Sequence, residues 1–392
     1  MFNKKKLIFI IISPVLIFIA CFLIGEVFLR AYYFFSGEGG YAWIPDYYLG
    51  VAHPPNSSFV YKEPSSNEFN VKRKTNSFGL IGKEIKPRKP ENSFRIIVLG
   101  DSFTEALQVN QGKNFCELLE NKLNKELFSQ CKYFEVLNAG MSNYSPIAEY
   151  LYLKRELLKL SPDMIILQLF ANDVYEDNKI GKMSVFDKDN LPVKINRVFY
   201  KNKNPVLLDE RLYRIKKYFV DRSVLLQCIE RALQRGYKKN KFHKEKSLFE
   251  EFLDVNQFFI IQDYVCLSKD LKFRDRALAN TGNYIKAIRD ICSQNDIELF
   301  IFLIPPQSQL KLNKYGEHCW YFPRPPNNFL NREIRRFAKR EKINYLDLLS
   351  SFEKNKKKSL FLDKDGHLTE DGHRLVAQDL FDYLIRKRLI KL

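Results

Sequence analysis

An apolar run, Arg95-Ile-Ile-Val-Leu-Gly100, empties directly into a carboxylate and a hydroxyl, Asp101 and Ser102. A serine hydroxyl attacks carbonyl carbon only when a base takes its proton. It also needs hydrogen-bond donors where the oxyanion forms. The base is best sought among the five histidines, His53, His243, His318, His367 and His373. His53 precedes the core pattern, His243 lies in a basic stretch, and His318 sits in a loop rich in Pro and aromatics. His367 falls just before the last helical segment, where a loop reaches a neighbouring strand end. His373 falls inside that helix's first turns, where a surface role is expected. His367 is therefore the expected base, with His373 as the alternative. A carboxylate should orient the imidazole, and Asp365 is favoured over Asp363 for that place.

Donors for an oxyanion are available at comparable positions. Gly140 ends a second apolar run and exposes its N–H without a Cβ in the way. Asn172 ends a third run and offers a side-chain amide; the Ser102 N–H is a further donor. Each residue alone has a plainer reading. Ser102 could cap a helix, and Gly140 and Asn172 could form turns. Together they supply every role that acyl transfer requires. Other chemistries fit less well. Ser102 lacks the G-x-S-x-G elbow of an ordinary α/β-hydrolase. "GDSFTEA" lacks the Gly-Lys-Ser/Thr ending of a phosphate-binding loop. Asp101, Asp173 and Asp177 have no standard metal spacing, so neither metal nor cofactor is expected.

These residues need a scaffold that brings them together. "RIIVLG", "YFEVLNAG", "DMIILQLFAND", "IELFIFLIPP" and "INYLDL" read as five strands. Residues 114–127 carry Phe115, Leu118, Leu119, Leu123 and Leu127 at helical spacing. "PIAEYLYLKRELLKL" reads as a helix with Pro146 at its first position. Further helices fall over "TGNYIKAIRDICSQND", "NNFLNREIRRFAKREK" and from about Thr369 to the end. Strands alternating with helices predict a three-layer α/β/α fold around a five-stranded, mostly parallel sheet. Ligands of such sheets bind outside the carboxyl ends of the strands, where Ser102, Gly140 and Asn172 fall.

The remaining segments bear on location. MFNKKK precedes nineteen uncharged residues, Leu7–Gly25. That length spans a hydrocarbon core, and the three lysines place the N-terminus inside. The expected division is a cytoplasmic 1–6, a transmembrane anchor at 7–25, a linker and extension at 26–92, and one α/β domain over 93–392. A cleaved signal peptide, or lipidation at Cys21 within "FIAC", is the competing reading. With the anchor at 7–25 retained, the chain would be single-pass in the cytoplasmic membrane, with its domain outside the cytoplasm. An insertion at about 178–280 interrupts the alternation. Within it, 197–246 holds 15 Lys/Arg against 5 Asp/Glu, over half of the chain's excess of +18. A solvated helical face explains such a run, as does contact with anionic lipid headgroups or an acidic polymer. An outward-facing domain would not meet nucleic acid. The seven cysteines form no C-x-x-C and read as scattered buried thiols.

"GDSFT", "NAG", "FAND" and "DGHLTEDGH" stand in an order and spacing that resembles the SGNH hydrolases, the GDSL esterase/lipase family. The resemblance covers about 95–177 and 284–388, and its four block residues match Ser102, Gly140, Asn172 and His367. It implies a serine-dependent ester hydrolase or acyl transferase without cofactor. "NSFGLIGKEI" resembles the lead-in of membrane-anchored bacterial members. Two positions depart from the family: Phe170 stands for the Gly of the third block, and Lys364 breaks the usual D-x-x-H. Asp365-x-His367 is similar to the D-x-H form of some members, including polysaccharide acetylation proteins. The implied substrate is an O-acyl, chiefly acetyl, group on envelope carbohydrate. A lipid esterase or lysophospholipase with the insertion as a membrane-facing lid is the second expectation. A non-catalytic polysaccharide-binding envelope protein is the third.

Overall fold

The structure, a computed structural model, describes residues 4–36, 42–62, 67–127, 133–196, 271–310 and 328–390, with Ser223, Leu225, Leu226, Cys228 and Ile229 between them. The basic stretch 197–246 otherwise lies outside the described residues, as do His243, His318, Cys131, Cys266, Cys319 and the Gly-rich 37–40. In chain order the elements begin with α1 (Lys4–Ser36) and two hairpins, β1 (Ile44–Asp46) with β2 (Gly50–Ala52) and β3 (Ser58–Lys62) with β4 (Asn70–Lys74). Then come β5 (Ser93–Gly100), α2 (Ser102–Glu105), α3 (Phe115–Leu127), β6 (Tyr133–Gly140), α4 (Pro146–Arg155), β7 (Met164–Leu169) and α5 (Asp173–Gly181). A third hairpin, β8 (Ser184–Phe186) and β9 (Pro192–Ile195), follows. The chain continues with α6 (Leu271–Gln294), β10 (Glu298–Leu303), α7 (Gln307–Leu310), α8 (Phe329–Arg340), β11 (Asn344–Asp347), α9 (Leu349–Lys354) and α10 (Glu370–Arg386).

The central sheet has the order β11-β10-β7-β5-β6, and every pairing in it is parallel. Parallel strands covered on both faces bury nearly every side chain, hence the unbroken apolar runs. Ile96, Ile97, Val98 and Leu99 of β5, and Ile165, Ile166 and Leu167 of β7, have no exposed surface. Each such side chain contributes about 1.5–3 kcal/mol by burial. Helices α3 and α10 pack together on one face, and α4, α5 and α6 pack together on the other. The chain leaves β5 for β6 on one side, then returns past β5 to β7 on the other. The connections therefore diverge between β5 and β7, and a crevice opens at their carboxyl ends.

The described part of the extension forms two hairpins and a turn. "NVKRK" forms β4, but its partner is the upstream β3. "NSFGLIGKEI" folds into a turn in which Asn76 Oδ1 accepts from the N–H groups of Phe78 (2.9 Å) and Leu80 (3.0 Å). Ile81 then bridges Asn138 at the free edge of β6. The insertion is also shorter than the sequence implies. Helix α5, the β8–β9 hairpin and α6 all belong to the packed body, and Ile195 N–H bonds Tyr48 O at 2.8 Å. Cys116 and Cys292 are buried thiols.

Helix α1 carries an apolar stretch, Ile12–Tyr32, of mean hydropathy 2.5 with none of it buried. It is long enough to cross a membrane, as an anchor or a signal sequence would. Glu26 on this helix accepts from Ser223 Oγ and from the Leu225 N–H, both at 2.8 Å.

Candidate active site

The turn after β5 is built from short polar contacts to its two neighbouring strands. Asp101 takes the N-cap of α2, its Oδ1 accepting from the Phe103 N–H at 2.9 Å. Its own N–H reaches Gln168 Oε1 of β7 (3.2 Å), which also accepts from Thr104 Oγ1 (2.9 Å). A Cβ on Gly100 would stand 2.2 Å from Thr104 Oγ1 and 2.5 Å from Gln168 Oε1, so only glycine lets the strand turn here. On the β6 side, Asn138 Nδ2 donates to Thr104 O at 2.6 Å. Ser102 is therefore the first residue of a helix gripped from both sides, and its N–H has no intrahelical acceptor by position.

His367 arrives from the far end of the chain. Its Nε2 lies 2.7 Å from Ser102 Oγ and its Nδ1 lies 2.6 Å from Asp365 Oδ1. The loop that carries both is a tight reversal. Leu362 N–H bonds His367 O (2.8 Å), Gly366 N–H returns to Leu362 O (3.1 Å), and Gly366 takes φ +81°. Two residues of separation let Asp365 Oδ1 meet both the backbone N–H of His367 (3.2 Å) and its ring. Burial lowers the His367 pKa, but the bond and charge of Asp365, with Asp101 and Glu105 beyond, outweigh it and leave the imidazole above its usual 6.5. A serine oxygen, a base and an orienting carboxylate in series can pass a proton away from the hydroxyl as it attacks.

The other expected residues fall differently. Asn172, at the N-terminus of α5, lies against the Asp101 carboxyl, which burial pushes up to about 6. The Gly140 N–H, expected as an oxyanion donor, already donates to Asn138 Oδ1 at 3.0 Å. What the site requires of Gly140 is its missing side chain, because a Cβ there would lie 2.2 Å from Glu105 N. His373, expected at the surface, is buried against the ring of Phe115 at 5.8 Å, and burial pushes its pKa down to about 3. The histidine that faces Ser102 Oγ is His367.

Several site residues escaped the sequence reading. Glu105, three residues after Ser102, has no exposed surface. It accepts from Trp43 Nε1 (2.7 Å), from the Ser142 N–H (2.9 Å) and from Ser142 Oγ, and lies 3.1 Å from His53 Nε2. An acidic residue at that offset resembles a helix-capping box, which hides its long-range partners. Phe170, where the family places Gly, packs on Phe103 at 4.2 Å, and Phe103 packs on the His367 ring at 4.9 Å. Glu68 accepts from the N–H groups of Lys364 (2.9 Å) and Asp365 (2.8 Å), nearly 300 residues away. No local pattern marks it.

A parallel sheet with a serine, histidine and aspartate in series at its switch point defines a class, the serine hydrolases of the three-layer α/β/α type. The chain belongs to the GDSL-like lipase/acylhydrolase family, which residues 98–375 match. It is an ester-bond hydrolase. No curated protein matches it. Among solved structures it is similar to an acetyl xylan esterase (12% identity, TM-score 0.39, covering 74% of this chain and 98% of that one). It is also similar to the psychrotrophic esterase EstA from Pseudoalteromonas sp. (12%, 0.38, 76% and 99%). A third is an acetylxylan esterase from Geobacillus stearothermophilus (9%, 0.39, 74% and 94%).

Proposed function

We propose that Ser102 is the nucleophile of an ester hydrolase acting outside the cytoplasmic membrane on O-acyl, chiefly acetyl, groups of carbohydrate. The observation that carries this reading is the series Ser102 Oγ, His367, Asp365, at 2.7 and 2.6 Å. In it, Ser102 Oγ bonds to the ester carbonyl carbon while its proton passes to His367 Nε2. The tetrahedral oxyanion is met by the Ser102 N–H and the Asn172 side-chain amide. Collapse breaks the bond to the sugar oxygen, which leaves with the proton from His367. Water, deprotonated by the same nitrogen, then releases the acid and restores Ser102. Asp365 holds the imidazolium through Nδ1.

The carbohydrate assignment draws on the resemblance of Asp365-x-His367 to the D-x-H form of polysaccharide acetylation proteins. The location draws on the Ile12–Tyr32 stretch behind a lysine cluster. A second reading, a lipid esterase at the membrane surface, is favoured by the contact of Ser223 and Leu225 with Glu26 within that stretch. A fluorophosphonate probe tests the shared core: it should label the wild-type protein and not Ser102→Ala. Equal labelling of both, or none of either with no acetyl-ester turnover, refutes the assignment. Acetate released from acetylated oligosaccharides, but not from short-chain lipid esters in vesicles, separates the first reading from the second.

A further inference from the structure

We infer that Glu68, in the extension ahead of the sheet, is a positioning residue that sets the geometry of the Asp365–His367 pair. This rests on the triad proposed above. The loop 362–367 reaches Ser102 from the start of α10, held within itself by the Leu362–His367 reversal and the Phe361–Leu368 bridge. Neither contact fixes how far Asp365 stands from the sheet. Glu68 does, because its two carboxylate oxygens take the successive N–H groups of Lys364 and Asp365, one each. Two parallel charge-assisted bonds to one peptide segment fix its direction as well as its distance. Asp365 in turn spends Oδ1 on the His367 ring, so an error at the Asp365 backbone passes directly to Nε2 and Ser102.

Glu68 is itself held from behind. The adjacent Phe69 is buried, and its ring stacks on Tyr61 of β3 at 5.5 Å and 8°. Tyr61 meets Trp43 edge-on at 5.9 Å, and Trp43 Nε1 donates to Glu105 at 2.7 Å. A continuous chain of contacts therefore runs from the nucleophile's helix, through the extension, to the loop of the base. The extension joins the two halves of the triad, which the chain itself separates by 265 positions. Misplacement of a reacting group by about 1 Å costs about 100-fold in rate. Loss of this link should therefore appear in kcat rather than in substrate binding.

The test compares full-length wild type, Glu68→Gln, Glu68→Ala and Ser102→Ala with p-nitrophenyl acetate across pH, together with fluorophosphonate labelling rates and melting temperatures. Glu68→Ala should lose about 30–100-fold in kcat with KM within about threefold, and label correspondingly slowly. Glu68→Gln keeps one carbonyl acceptor and should fall between. Asp365 holds the His367 pKa up, so loosening it should move the acid limb of kcat/KM to lower pH in both variants. Activity of Glu68→Ala within about twofold of wild type, with the acid limb unmoved, overturns the inference. So does a loss matched by a lowered folded fraction in either variant with the limb unmoved, which is a structural role only. Should Glu68→Ala not fold, Glu68→Gln decides by the same criteria. If Ser102→Ala keeps wild-type activity, the triad itself is at fault; if it is inactive while the Glu68 variants behave normally, only the role of Glu68 falls.

Discussion

At the scale of single residues the proposed site is a proton relay whose pH response follows from its charges. His367 must be neutral to accept the Ser102 proton. Burial lowers its pKa and Asp365 raises it further, so the folded value lies above the usual 6.5. Activity is therefore present above that value and lost as pH falls through it, and the acid limb of kcat/KM should inflect above pH 6.5. Asp365→Asn removes the charge that sustains the shift and leaves an amide facing Nδ1. We expect kcat to fall by about 10³–10⁴-fold, with any residual acid limb displaced to lower pH. An inflection at or below 6.5 in the wild type would contradict the assigned electrostatics. His373, with a pKa near 3, should contribute no inflection in the same range. The juxtaposition of Ser102, His367 and Asp365 was legible because histidines are scarce, Ser102 follows a predicted strand end and His367 falls just before the last predicted helix. Glu105 and Glu68 were not, because their partners lie 37 and about 297 positions away and no local spacing encodes them.

At the scale of elements, the five strands and their flanking helices follow from apolar runs and helical spacing, and the sheet is the one those patterns predict. What the patterns could not carry was the closeness of neighbouring backbones. Gly140 illustrates this. Its sequence neighbours mark it as a donor at a strand end, but its N–H is taken by Asn138 and its role is to let β6 pass against α2. Gly140→Ala would put a methyl group 2.2 Å from Glu105 N and 2.5 Å from the Thr104 carbonyl carbon, both backbone atoms that cannot rotate away. Either β6 or α2 must then shift. We expect a loss of about 2–4 kcal/mol in urea-induced unfolding and a fall in kcat beyond what the unfolded fraction explains. A variant with full stability and activity would show that the turn gives way freely. Pro146 reads as the first position of α4, and Ser145 precedes it at the N-cap. The cap bond comes instead from Asp177 of α5, whose Oδ1 accepts from the Ile147 N–H at 2.9 Å, while the Ser145 side chain makes no cap bond.

At the scale of the molecule that cap belongs to a set of carboxyl groups sealed between α4, α5 and the nucleophile turn. Glu149, Asp173, Asp177 and Asp101 are all at most 2% exposed. Burial drives each pKa upward, Asp177 to about 7 and Asp101 to about 6, and mutual repulsion adds to the shifts of Glu149 and Asp173. The sign of the consequence follows from proton counting. An unfolded Asp titrates near 3.8, so between that value and 7 the folded protein holds a proton on Asp177 that the unfolded chain has released. Stability must then decrease as pH rises through this interval and level off above it. A shift from 3.8 to about 7 corresponds to at most about 4 kcal/mol for Asp177 alone. Asp177→Asn keeps the acceptor for Ile147 and removes the charge. It should match the wild type near pH 4, exceed it at pH 8, and show a shallower decline in melting temperature between. A residual slope should remain, because Asp101, Glu149 and Asp173 titrate in the same sense. Superimposable stability profiles from pH 4 to 8 would show that Asp177 ionises in place without cost. A steeper decline in the variant would show that its charge stabilises α4. The difference between the two profiles measures how much stability the fold gives up to place a carboxylate at the N-terminus of α4.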